Sequence, residues 1–254
     1  MRRIALLGER AKHYNVSQEV LDRMPNRPLV RVLSIAALAL VVASGSARAA
    51  DPAAKADQLV RDALYTLRNF FHDPESAGFR DKIRSARGVL IVPAEGKGGF
   101  ILGGASGVGV LVARESPDEG GGWRGPVFYR LSSISIGPQV GGARSEVVLL
   151  LMSQKSVDAL LSTETKLGGE VAVAAGPVGA GTGAATTDVL SYLRSKGAYV
   201  GGAVVGSSIR PQDRLNNAYY GETVTPVDLL VRGKGIGRPG SEQLREEVDR
   251  AASQ

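Results

Sequence analysis

From Gly88 onward the chain is a succession of short apolar runs joined by spacers of a few residues, many of them glycine. The runs lie at 89–92, closed by Pro93, and at 100–102, 108–113, 127–136, 146–152, 170–175, 184–192 and 198–209. Apolar runs this short, bounded by turn residues, read as buried strands. A parallel pair needs a crossover of a dozen residues or more, so spacers this short predict antiparallel neighbours. Glycine weakens a strand interior unless a bulge, a bend or a close backbone approach requires it. With 33 glycines in 254 residues, the expectation is a strongly curved sheet, either a sandwich or a partly closed barrel.

Helical patterns flank this β region. Over 51–71, Leu59, Val60, Ala63, Leu64, Leu67, Phe70 and Phe71 recur at helical spacing, with Lys55, Arg61, Asp62 and Arg68 off that stripe. His72-Asp73-Pro74 breaks the pattern, and a second helix is expected over 75–86, with Phe79 and Ile83 facing inward. Ser153 is placed to cap a short helix ending at Leu161. Beyond Pro211, helices are expected over 213–220 and 226–231, followed by a polar tail, 233–254, carrying a loose helix from Ser241. The predicted class is therefore α+β.

The first 49 residues read as a leader. Arg27 and Arg31 precede an apolar run over 32–43, and small residues then end in Ala47-Arg48-Ala49. This is the order of a secretory signal, and it makes Met24 the better start. An apolar run of about 12 residues is short of the roughly 20 needed to span a bilayer as a helix, although a retained anchor is the competing reading. The expected division is a leader over 1–49, one folded domain over 50–232 and the polar tail. The expected location is the periplasm or the exterior, with peripheral membrane association possible in either. The leader holds eight of the 31 basic residues and three of the 25 acidic ones, leaving 23 against 22. Bulk charge therefore gives no argument for nucleic-acid binding.

Several chemistries are excluded or disfavoured. With no cysteine in the chain, disulfides, thiolate catalysis, cysteine-ligated zinc and a lipidated cysteine anchor cannot occur. Beyond the leader the only histidine is His72, which cannot build a histidine metal site. No Gly-x-Ser-x-Gly elbow presents a nucleophile. The glycines around 179–184 lack the downstream acidic residue of a dinucleotide fingerprint. No cofactor and no metal are expected, and an enzyme, in the form of an unrecognised hydrolase, is the weakest of the functional readings.

Ordered blocks give the β region a resemblance. They are 86–93 (ARGVLIVP), Gly98-Gly99-Phe100, 104–114 ending in Val112-Ala113-Arg114, Trp123 with Pro126, 137–142, 145–152, 167–179, 191–202, and Asp213-Arg214-Leu215-Asn216 with Tyr219-Tyr220-Gly221. In that order they resemble the SYLF domain, also described from yeast members as an actin-binding domain, and suggest a bacterial exported member. The resemblance implies binding of phosphoinositides, such as phosphatidylinositol phosphates, or other lipids, with a basic amphipathic N-terminal helix contributing. An exported protein has no access to actin, so the implied ligand widens to anionic phospholipid at a membrane surface.

Two features of this sequence suit that role. Arg80, Lys82, Arg84 and Arg87, with Lys97 joining them, form a candidate headgroup cluster. Leu59, Leu64, Leu67, Phe70 and Phe71 form a candidate membrane-facing stripe. The competing assignments are a solvated helix face with salt bridges to Glu75 and Asp81, and a stripe packed into the core. A structural or protein-interaction module of the cell envelope using the same surface is the second functional class.

Overall fold

In the computed structural model the described residues are 51–93, 105–115, 121–133, 145–177, 187–195, 198–199, 204–235 and 239–254. They belong to one unit, Ala50–Gln254. The leader, Lys97 and the expected strand at 100–102 lie outside them.

Helix α1 (Pro52–His72) starts where Asp51 Oδ1 accepts from the Ala53 amide and Pro52 takes the first turn. It stops at Asp73-Pro74. There the Asp73 carboxylate accepts from the Glu75 amide and opens a 3-10 turn, Pro74–Ser76, which leads into α2 (Ala77–Ile83). The helix expected over 75–86 is thus shorter and begins with a tighter turn, because Pro74 and the Asp73 cap impose it.

Among the described residues nine strands follow: β1 Gly88–Val92, β2 Ala105–Arg114, β3 Trp123–Ser133, β4 Ser145–Leu151, β5 Thr165–Lys166, β6 Val173–Ala175, β7 Val189–Ser195, β8 Ala198–Tyr199 and β9 Ser208–Pro211. Helix α3 (Gln154–Ala159) sits between β4 and β5, and α4 (Asp213–Tyr220), α5 (Pro226–Leu230) and α6 (Pro239–Ser253) follow β9. The sheet order is β5-β9-β3-β2-β1-β4-β7-β6, with β8 on β7, and the sheet curls into a half-barrel. All the ladders are antiparallel except β6–β7, where Val173, Ala174 and Ala175 run parallel to Val189, Leu190 and Ser191. The expectation of antiparallel neighbours throughout fails here. Residues 176–188, between these strands, are long enough for a crossover.

Both faces of the sheet are covered. Val89 and Ile91 join one apolar cluster with Val110, Phe128, Val148 and Leu150, roofed by α1, α2, α4 and α6. Leu90 and Val92 join a second with Leu111, Tyr129, Leu149 and Val189, closed by α3, α5 and the segments around Leu167 and Val204. All five residues of β1 are therefore buried. A strand covered on both sides reads as a continuous apolar run, the pattern that marked 89–92 and 146–152 in the sequence. Glycine serves close approach at Gly109, where a Cβ would lie 2.7 Å from Val92 Cγ2 and 2.8 Å from the Ile91 carbonyl. At Gly125, φ is +105° beside a register shift between β2 and β3.

One side-chain amide and two carboxylates hold the joints between elements. The buried Asn216 accepts from the Phe128 amide at 2.8 Å and donates to the Phe128 carbonyl at 3.3 Å, locking α4 to β3. Asp188 accepts from Ser153 Oγ (2.7 Å), Lys155 Nζ (3.0 Å) and the Ala172 amide (3.0 Å), tying α3 and β6 to β7. Asp228 closes a capping box with Thr225 at the start of α5 and accepts from Arg232.

The Ser153 hydroxyl holds the Asp188 carboxyl below its usual range, and the Thr225 hydroxyl and Arg232 do the same for Asp228. A carboxylate depressed in the folded state stabilises the fold above its unfolded pKa, and that contribution is lost as pH falls through the folded value. The urea midpoint is accordingly expected to drop as pH is lowered below about 4. An Asp188→Asn, Asp228→Asn double variant should start less stable and show a flatter dependence. Parallel curves for the two proteins would contradict this assignment.

The segment expected as a polar tail is the 15-residue α6, with Leu244, Val248, Ala251 and Ala252 buried against α1 and the sheet. Its polar composition reflects an outward face only. Glu242, Glu246 and Asp249 are exposed there, while Glu247, 7 % exposed, takes Arg68 at 2.8 Å and Arg250 at 2.8 Å.

Candidate functional site

The expected membrane-facing stripe is core. Leu59, Leu67 and Phe70 are buried, and Leu64 and Phe71 pack partly buried against the same cluster. Burying each large apolar side chain contributes about 1.5–3 kcal/mol. Freeing Leu59, Val60, Leu67 and Phe70 would therefore cost roughly 6–12 kcal/mol by the same scale, comparable with the whole stability of a domain at about 5–15 kcal/mol. Insertion of α1 into a bilayer would recover its own burial but leave Phe79, Tyr192 and Tyr219 uncovered. In the folded domain the stripe does not face a membrane. The helical periodicity and the adjoining sheet were both legible in the sequence; whether sheet or bilayer covers the stripe was not.

The basic cluster divides. Arg80 is half-buried, and its Nη1 donates to the Phe71 carbonyl (3.0 Å), the Asp73 carbonyl (2.7 Å) and Ser76 Oγ (2.8 Å). It satisfies the open C-terminal carbonyls of α1 and is a structural cation. The expected salt bridges to Glu75 and Asp81 do not form. Lys82, Arg84 and Arg87 make no side-chain hydrogen bond or ion pair with the described residues, and Arg84 and Arg87 are exposed. All three sit at the corner where the end of α2 leads into β1. The Arg87 amide donates to Leu151 at 2.6 Å, and its carbonyl accepts from the Arg114 amide at 2.7 Å.

Sequence reasoning missed what backs this corner. The Arg114 guanidinium lies 4.6 Å from the Trp123 ring centroid and donates to the Ala86 carbonyl. Trp123 Nε1 in turn donates to Asp249 of α6. These contacts join residues far apart in the chain, so no local pattern announced them. Across the domain, Arg194 lies between Asp73 (3.7 Å) and Glu146 (3.8 Å), and Thr66 donates to Glu146. This cluster secures the foot of α1. Among the described residues there is no group of three His, Cys, Asp or Glu able to hold a metal, and no helix long and apolar enough to cross a membrane.

Comparison with known proteins fits this architecture. Residues 132–251, from the end of β3 to α6, match the family Ysc84, described as Las17-binding protein actin regulator. The chain carries a SYLF (Ysc84) domain. It is 33 % identical over 158 residues to LAS seventeen-binding protein 3 of Saccharomyces cerevisiae, covering 59 % of this chain and 34 % of that protein. It is 32 % identical over 156 residues to Protein YSC84 of the same yeast, covering 58 % and 32 %. It is 28 % identical over 154 residues to the human SH3 domain-containing YSC84-like protein 1, covering 58 % and 44 %. The match spans about a third to less than half the length of these relatives. The SYLF family is one of non-enzymatic binding and regulatory domains, and the match reaches into α6, so the C-terminal helix belongs to the SYLF domain.

Proposed function

We propose that this SYLF domain is a non-catalytic lipid-binding module that engages anionic phospholipid headgroups at a membrane surface. The observation that carries the reading is the α2–β1 corner, where Lys82, Arg84 and Arg87 have no intramolecular side-chain partner among the described residues and the backbone of Arg87 is pinned to the sheet. Cations held this way keep their charge available without an ion pair to break. Each contributes about 1 kcal/mol near an anionic surface. The leader pattern supports an exported location, in the periplasm or outside the cell, and on that reading anionic phospholipid is the available partner in place of actin.

The test is flotation of the protein with vesicles of phosphatidylcholine alone or mixed equally with phosphatidylglycerol, across a salt series. Binding is expected only with the anionic mixture and should fade as salt screens the charges. The Lys82→Gln, Arg84→Gln, Arg87→Gln variant should lose on the order of a hundredfold in affinity, from three charges at about 1 kcal/mol each, with an unchanged melting temperature. Unaltered affinity in this variant would remove the corner from the site. A protein partner on the same surface is the second reading, favoured by the binding role in the printed name of the yeast relative. Flotation with no vesicle would leave that reading standing alone.

A further inference from the structure

The sheet face that buries Val108 and Phe128 under the helices runs on past them, and there its side chains turn polar. The strand registers set two rows at that end. Arg130 of β3 stands directly opposite Arg210 of β9. In the next row Ser106, Ser132, Ser208 and Lys166 follow one another across β2, β3, β9 and β5. Paired residues of antiparallel strands share a face with side chains about 5 Å apart, and like charges so placed cost stability. Both arginines and Lys166 are exposed, and the three serines are half-buried among them.

Folding supplies a counter-charge for only one of the two arginines. Arg210 Nη2 donates to Glu164 at 2.7 Å, and Arg210, helped by Lys166 and Ser208, holds the Glu164 carboxyl below its usual range. Arg130 and Ser132 repeat the spacing of Arg210 and Ser208 one strand away, with no carboxylate in place. Arg130 donates to the neutral Ser106 Oγ at 2.9 Å and Gln212 Oε1 at 3.4 Å, and among the described residues it has no ion pair. The segments that continue β2 and β3 in sequence at this end, 100–104 and 134–144, contain no aspartate or glutamate. Arg130, Arg210 and Lys166 against Glu164 leave this end of the face positive.

We propose that the Arg130 half of this face docks an acidic segment of a protein partner, one of whose carboxylates takes on Arg130, Ser106 and Ser132 the place that Glu164 takes on Arg210 and Ser208. Glu164 is the internal example of the ligand, a side-chain carboxylate lying on an arginine and a serine of the same sheet face. A guanidinium takes a carboxylate through two parallel N–H donors, and a serine hydroxyl adds a third. The surface is separate from the α2–β1 corner and does not rest on the lipid-binding reading. Gly88 pairs with Ala113, and Ala113 with Arg124, so the corner lies at the far end of β3. Arg130 is about 20 Å further along that strand, at roughly 3.4 Å per residue.

The test is titration of the full chain with hexaglutamate or hexaglutamine peptide at low salt, followed by backbone amide and arginine Nε–H chemical shifts. Hexaglutamate is expected to move the Arg130 Nε–H signal and the amides of Ser106 and Ser132, and hexaglutamine neither. Arg130→Gln should weaken hexaglutamate binding about fivefold, the upper end for one exposed ion pair, with melting temperature and vesicle flotation unchanged. Glu164→Gln frees Arg210 and should tighten binding by a similar factor. Glu170→Gln, the same charge change at another exposed position, should not. Absence of hexaglutamate binding overturns the site. So does binding that survives Arg130→Gln, or that the Lys82→Gln, Arg84→Gln, Arg87→Gln variant abolishes. Lost flotation with retained peptide binding in Arg130→Gln would assign the face to lipid and overturn it as well.

Discussion

Ending the chain after Arg232 is expected to abolish cooperative folding, although the residues removed read as a polar tail. The truncation takes away Leu244 and Val248, both fully buried, together with Ala251 and Ala252. The two larger side chains alone contribute about 1.5–3 kcal/mol each. Their loss also exposes the face of α1 on which they rest. Arg68 then loses the carboxylate of Glu247, and Trp123 Nε1 loses Asp249 and is left without that acceptor. The sum is of the order of the whole stability of a domain, about 5–15 kcal/mol. Thermal melts by circular dichroism, with fluorescence of the single Trp123 as a local reporter, measure the effect. A truncated chain that melts cooperatively at the temperature of the full one would show α6 to be dispensable.

Phe79→Ala should destabilise the domain by about 3–5 kcal/mol, the usual range for emptying a buried phenylalanine site. The ring is fully buried, 5.7 Å from Phe70 and 5.2 Å from Tyr192 in an edge-on arrangement, so it joins α1, α2 and β7. The Tyr192 hydroxyl donates to the neighbouring Gly78 carbonyl at 3.2 Å, which restricts how far α2 can collapse into the cavity. For a domain of this size about 1 kcal/mol corresponds to about 2–4 °C, so the melting temperature should fall on the order of 10 °C. Phe79→Leu, closer in volume, should cost less than half as much. Vesicle binding by Phe79→Ala, measured where it remains folded, should match the unsubstituted protein, because the ring belongs to the core and not to the α2–β1 corner. A small stability change with lost binding would reverse that assignment.

Phe79 was legible in the sequence as an inward-facing residue of its helix, whereas the buried face of α6 was not. The strands at 89–92 and 146–152, the breaks at Pro74, Pro93 and Pro211, the caps at Ser153 and the helix over 213–220 were legible, because each depends on neighbours within a few residues. The curvature was legible too, since glycines inside strands, such as Gly109 and Gly125, call for a bulge, a bend or a close backbone approach. The parallel pairing of β6 with β7 was not, because strand direction depends on the path of the connector and not on either strand.

The functional surface divides in the same way. Local pattern alone was enough to show that an amphipathic helix with a flanking basic segment leads into a curved sheet, and composition excluded cysteine and multi-histidine chemistry. Long-range packing settled which side of that helix meets solvent, which cation of the basic segment is spent on α1's carbonyls, and whether the C-terminal residues are tail or core. An apolar stripe carries the same pattern whether it meets a bilayer or a sheet. The choice is made by what else in the chain is left to cover, here the row Val89, Ile91, Val110, Phe128 and Val148 that α1 and α6 close over.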